Sequence, residues 1–134
     1  MSRTDILALF EKHGVLPTPQ RLEIADVLLA RPQHLSADQI IDRLRAAGSR
    51  VSKATVDNTL NLFGDRGLVK EVMVDPVRKF YDSTTHAHHH FYNVDTGELH
   101  DIPDDAIAFG RLPALPDGTT EESVEVLIRV RDAD

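Results

Sequence analysis

The sequence predicts an α+β protein, an N-terminal winged helix-turn-helix followed by a small α/β dimerisation domain, on three observations. Four punctuated runs of helical apolar periodicity come first, the last two separated by only Gly48-Ser49-Arg50-Val51. A two-stranded hairpin signal follows directly. Beyond Thr84 the pattern changes to short alternating strands around a run of histidines.

Each element has its own signal. Thr4–His13 carries Ile6, Leu7, Leu9 and Phe10 and is stopped by Gly14. Thr18 offers an N-cap hydroxyl and Pro19 sits at the first helical position, where a missing N–H costs nothing; Arg31-Pro32 ends that second run. Ser36-x-x-Gln39 fits a capping box, opening a helix with a stripe of Ile40, Ile41 and Leu44 that ends near Gly48. Ser52 caps a fourth helix, with Val56, Leu60 and Phe63 on one face, running to about Arg66. Leu68–Val74 and Arg78–Tyr81 are strand-like around Asp75-Pro76, so helix, turn, helix and wing occur in order. In the second part, Phe91–Asp95 and Glu98–Ile102 flank a Thr96-Gly97 turn, and apolar residues alternate from Val124 to Val130. Pro103, Pro113 and Pro116 leave room for one short helix near Asp104–Phe109. The predicted boundaries are 1–83 for the winged-helix, DNA-binding domain and 84–134 for the dimerisation and metal- or haem-sensing domain.

Composition narrows the chemistry. An apolar fraction of 41% belongs to a folded protein, and no apolar run approaches the ~18 residues that cross a bilayer. Together with a first segment unlike a signal peptide, this places the chain in the cytoplasm, with no membrane partner. The absence of cysteine excludes disulfides, thiolate zinc and iron–sulfur sites, so nitrogen and oxygen must hold any metal. The net charge of −7 is uneven: residues 1–83 hold 12 Lys/Arg against 11 Asp/Glu, residues 84–134 hold 3 against 11. Any contact with phosphate therefore falls to the first part. A sheet built from about 50 residues buries little by itself, which makes a homodimer through the second part the economical arrangement.

Four of the seven histidines lie in His86-Ala87-His88-His89-His90. In an extended chain His86, His88 and His90 face one way and His89 the other, so His88-x-His90 is a same-face pair able to hold one ion. Asp82 and Asp101 are plausible oxygen partners at strand ends.

The order of these pieces resembles the ferric uptake regulator family over nearly the whole chain. The resemblance is carried by Pro19-Gln20-Arg21-Leu22, His34-Leu35-Ser36-Ala37-Asp38, Lys53-Ala54-Thr55-Val56, Asn58-Thr59-Leu60, the histidine run and Asp95-Thr96-Gly97-Glu98-Leu99. The tail Leu112-Pro113-x-Leu115-Pro116-x-Gly118 and Val124–Arg131, with His88–Tyr92 and Asp101-Ile102-Pro103, is most similar to the iron response regulators, cysteine-poor members that respond to iron through haem. The resemblance implies a regulatory ion where the two halves meet, held by His34, Asp82, His88, His90 and Asp101. Such a ligand set suits Fe2+, Mn2+ or Zn2+, one per subunit. His88, His89 or His90 could instead serve a haem iron as axial ligand.

Three departures from the family stand out. Asn93 and Thr96 occupy positions where many members bind structural zinc through Cys-x-x-Cys, so no structural zinc held by four cysteines is expected. A second regulatory site is not expected either, since Ala108 stands where the family often has Glu and no histidine follows His100. The recognition helix reads Ala54-Thr55-Val56-Asp57, where the family usually has Tyr as the fourth residue; an aspartate there meets phosphate as a like charge. DNA contacts are assigned to Arg50, Lys53, Thr55, Asn58 and Asn61, with Arg21 as a further phosphate contact.

These readings predict a non-enzymatic, homodimeric transcription regulator of iron or manganese homeostasis that binds double-stranded promoter DNA and is switched by the His/Asp site. The alternative is a metal- or haem-binding regulator that acts through protein contacts, with weakened DNA readout.

Overall fold

The computed structural model describes all 134 residues, which form two compact units, Met1–Thr85 and His86–Asp134. In the first, α1 (Arg3–His13) is closed by a reciprocal capping box that the sequence reading missed: Ser2 Oγ accepts from the Asp5 N–H, and the Asp5 carboxylate accepts from the Ser2 N–H. Its far end turns on Gly14, whose φ of 70° is open to glycine at little cost. Thr18 caps α2 (Pro19–Leu28), with Pro19 at the first position. The Ser36/Gln39 box opens α3 (Ala37–Ala46), and Ser52 opens α4 (Lys53–Asp65). Caps of this kind each contribute about 1 kcal/mol and fix where a helix begins.

The four helices share one core. Phe10, Ile24, Leu28, Ile40, Leu44, Val56, Leu60 and Phe63 are buried together, with Phe10 and Phe63 ring centroids 5.5 Å apart. Ser49, between α3 and α4, donates to Glu23 of α2, and its backbone N–H reaches Leu44 O.

The hairpin is part of a larger sheet than expected. β1 (His34–Leu35) lies beside β3 (Lys79–Asp82), which pairs on its other side with β2 (Lys70–Met73), giving the order β1-β3-β2 with both pairs antiparallel. The wing loop is held by Asp75, whose Oδ1 accepts from the N–H groups of Val77 and Arg78. β1 joins the end of α2 to the wing, and its two residues were too few to show a period.

The second unit is mostly strand. β4 (His89–Asn93) pairs antiparallel with β5 (Leu99–Ile102) and parallel with β6 (Leu127–Val130), in the order β5-β4-β6. The alternation from Val124 is thus realised as strand only from Leu127. The short helix expected near Asp104–Phe109 is a single 3-10 turn, Asp104–Ala106. Tyr92, Leu99 and Ile102 form the buried apolar side, while Phe91, Phe109, Leu112, Leu115, Ile128 and Val130 are exposed. No helix is long and apolar enough to cross a membrane.

Candidate metal centre

The two units each gather part of the expected ligand set. In the first, antiparallel pairing sets His34 directly opposite Asp82, the last residue of β3. Residues directly opposite on adjacent strands share a face, so a two-residue strand brings together side chains 48 positions apart. His34 lies edge-on to Phe80, at 6.4 Å between centroids. Asp82 is buried and its Oδ1 accepts from the Thr84 N–H at 2.9 Å.

In the second unit, His90 pairs in register with Asp101 across β4 and β5, and His88 precedes the strand by one residue. The ligand atoms of His88, His90 and Asp101 all lie within 4.8 Å of one another. Asp101 Oδ1 is 3.1 Å from His88 Nε2 and 3.2 Å from His90 Nε2, and the two rings stand 4.3 Å apart. Both imidazoles are buried, whereas the Asp101 side chain is 60% exposed, so the carboxylate gives access from solvent.

Hydrogen bonding makes this cluster suited to a cation. His88 Nδ1 lies 2.9 Å from the His86 carbonyl, an acceptor, so Nδ1 must carry a proton. In the neutral ring Nε2 then presents a lone pair to the Asp101 carboxylate. Two acceptors at 3.1 Å require a proton or a metal ion between them. A backbone carbonyl that fixes the tautomer of a ligand histidine is the usual support of such a site.

His89 behaves differently, as alternation requires. It is buried, its Nδ1 accepts the Val126 N–H at 2.8 Å, and its ring meets Phe109 edge-on at 5.8 Å. Asn93 and Thr96 close the turn by hydrogen bonds. Asn93 Oδ1 accepts from the N–H groups of Asp95 and Thr96, its Nδ2 donates to Asp132, and Thr96 Oγ1 accepts from the Glu98 N–H.

The residues expected at DNA divide into two groups. Arg50, Lys53, Asn58 and Asn61 are exposed, Lys53 lying 3.8 Å from Asp38. Thr55 is half-buried and its hydroxyl accepts from Ser52; Arg21 is half-buried and donates to Leu16 O at 2.8 Å, holding the turn before α2. Asp57 is half-buried too, and its charge opposes ionisation of Tyr81. Burial is the main cause that raises the Tyr81 pKa above its ordinary value, and Lys79 pulls against it. For Lys79 burial is the largest effect and lowers the pKa, but Tyr81 and Glu71, the latter 3.4 Å away, outweigh it and the net direction is up.

A winged helix-turn-helix and a small sheet bearing a His/His/Asp cluster define a class, winged-helix proteins with a candidate metal centre. The chain belongs to the ferric uptake regulator family, whose sequence profile matches residues 3–112. It is 34% identical over 98 residues to the peroxide-responsive repressor PerR of Staphylococcus saprophyticus, a stretch that covers 73% of this chain and 66%, just under two thirds, of that protein. Among solved structures it is similar to the ferric uptake regulator of Pseudomonas aeruginosa with manganese, at 26% identity and a TM-score of 0.72, covering 96% of this chain and 98% of the other. The fold is shared as well with the Vibrio cholerae ferric uptake regulator, at 24% identity and a TM-score of 0.74, covering 92% and 96% of the two chains.

Proposed function

We propose that the chain is a metal-responsive transcription regulator that binds promoter DNA as a homodimer, with His34, Asp82, His88, His90 and Asp101 holding one divalent ion. The observation that carries this reading is the convergence of two buried histidines on one carboxylate, with His88 Nδ1 already committed to a carbonyl. The Pseudomonas relative contains manganese, and the Staphylococcus relative is a peroxide-responsive repressor; both support a metal-responsive repressor. When bound, a divalent ion supplies the positive charge these donors share. His34 and Asp82 belong to Met1–Thr85, and His88, His90 and Asp101 to His86–Asp134.

Arg50, Lys53, Asn58 and Asn61 are the DNA-facing residues of this proposal, because they are exposed on or beside α4. Thr55 and Arg21 belong to the same proposal and also support the helix starts, each with donors left over for DNA. Asp57, half-buried on α4, places a like charge beside these residues and sets which operator sequences they accept. The exposed apolar residues Phe91, Ile128 and Val130 on the small sheet are the surface that a second copy covers.

The assignment stops at the family rather than the iron response branch. The residues that suggested that branch are 112–118 and 124–131 with His88–Tyr92 and Asp101-Ile102-Pro103, but the similar proteins are a peroxide-responsive repressor and ferric uptake regulators, which support the family and not the branch. Haem has no part in the proposal. His88, His89 and His90 are 6%, 8% and 3% exposed, whereas an axial ligand must reach the face of a macrocycle.

The test is selection from random-sequence DNA duplexes by the full chain at low salt with Mn2+, Fe2+, Zn2+ or EDTA. Enrichment of one sequence class in a metal-dependent manner is expected, with a salt slope reduced by about 1 in Lys53→Ala. No enrichment with any of the three ions would overturn the proposal.

A further inference from the structure

His89 lies between the two histidines of the metal centre, yet its ring does other work. Its Nδ1 accepts the Val126 N–H, and the neighbouring His90 N–H donates to the Val126 carbonyl at 3.1 Å. Both peptide groups of Val126 are therefore held by the ligand-bearing strand, one by a side chain and one by backbone. From there β6 runs parallel to β4, with His90 opposite Leu127 and Asn93 opposite Val130. At the far end Asn93 and Asp95 hold Asp132. Between the 3-10 turn and Val126 the chain has no other regular element, and His89 meets that segment twice, its ring edge-on to Phe109 and its Nδ1 at the Val126 N–H where β6 is about to begin.

We infer that His89 is a positioning residue of the metal centre: its Nδ1 seats the C-terminal strand beside His90, so that ion binding at His88 and His90 and docking of β6 stabilise one another. The inference rests on the reading of His88, His90 and Asp101 as ligands. Its chemistry is specific. An imidazole that accepts an N–H through Nδ1 holds its own proton on Nε2, the reverse of the tautomer His88 adopts. Adjacent histidines thus carry opposite tautomers, one offering Nε2 to an ion and the other using Nδ1 for the fold. Coupling of the two events is reciprocal, so the ion must protect the amides of β6 as much as β6 strengthens the ion site.

The experiment uses the full chain with Mn2+. Chelator competition measures affinity, amide hydrogen exchange follows residues 126–130, and 15N NMR of the imidazoles reads the tautomers. In wild type, Mn2+ is expected to slow exchange in β6, and His89 in the metal-free chain to show an unprotonated Nδ1. His89→Gln, whose carbonyl lies one bond too far, is expected to lower Mn2+ affinity about tenfold and abolish the metal effect on β6. His89→Asn, which restores an acceptor in the place of Nδ1, is expected to return both to within about twofold of wild type. A protonated Nδ1, metal-insensitive exchange in wild type, or equal behaviour of the Asn and Gln variants would each overturn the inference. Equal Mn2+ binding by wild type and His90→Ala would instead overturn the ligand reading, and the inference with it.

Discussion

His88 Nε2 lies 3.1 Å from Asp101 Oδ1 while Nδ1 of the same ring donates to the His86 carbonyl. With the imidazole neutral and Asp101 ionised, the contact is acceptor against acceptor. Asp101→Asn is expected to separate the two roles of the carboxylate, since an amide N–H can donate to the imidazole lone pair. The metal-free variant should be as stable as wild type or more so. Its Mn2+ affinity should fall at least about tenfold, with loss of the metal-induced rise in Tm. Thermal melts with and without Mn2+ check both signs, and an unchanged metal-induced rise would exclude Asp101 as a ligand.

Asn93 closes the β4–β5 turn through two backbone N–H groups and reaches Asp132 with its amide. Its truncation to Ala leaves those N–H groups to solvent and frees the end of β6. A loss of about 1–2 kcal/mol is expected in chemical denaturation of the full chain, together with faster exchange at residues 94–97. Unchanged exchange there would show that the turn holds without the side chain.

Tyr81 and Lys79 make stability fall at high pH. Both pKa values are raised in the folded chain above their ordinary 10.0 and 10.5, so the folded state binds more protons than the unfolded chain in that range. Their contribution is complete below about pH 10 and is lost as pH rises through the folded values. Tyr81→Phe, which removes the phenol, should show a shallower decline of Tm between about pH 9.5 and 11. An identical decline in wild type and variant would assign the effect to other groups.

Gly64 lies inside α4, and a Cβ there would come 3.2 Å from Glu71 Oε1. That oxygen is the tip of a flexible, partly exposed side chain and can move by a few tenths of an ångström. The gain in helix propensity therefore wins, and Gly64→Ala is expected to stabilise the chain by about 0.5–1 kcal/mol. Denaturant melts decide the sign; a loss would mean that Glu71 is held in place by Lys79 more firmly than exposure suggests.

Much of the fold was legible because its signals are local. Thr18-Pro19, Ser36-x-x-Gln39 and Ser52 cap the helices where the sequence placed them, and Asp75 makes the wing turn. The alternation rule also separated His89 from His88 and His90 correctly. The ion site was less legible. His88 and His90 announce themselves as a same-face pair, but His34 had no signal of its own in composition or period and entered only through resemblance to a family.

What the sequence determined by itself, then, is where each helix starts, which residues form the wing, and which side chains could bind a metal. Caps, apolar period and donor type depend on a few neighbouring residues, and so can be read along the chain. The tertiary structure decided the pairings: His34 against Asp82 through a two-residue strand, β6 parallel to β4, and opposite tautomers on His88 and His89. Each of these depends on a partner distant in sequence or on the direction of a single hydrogen bond. Such contacts follow from register and packing, which no local pattern specifies.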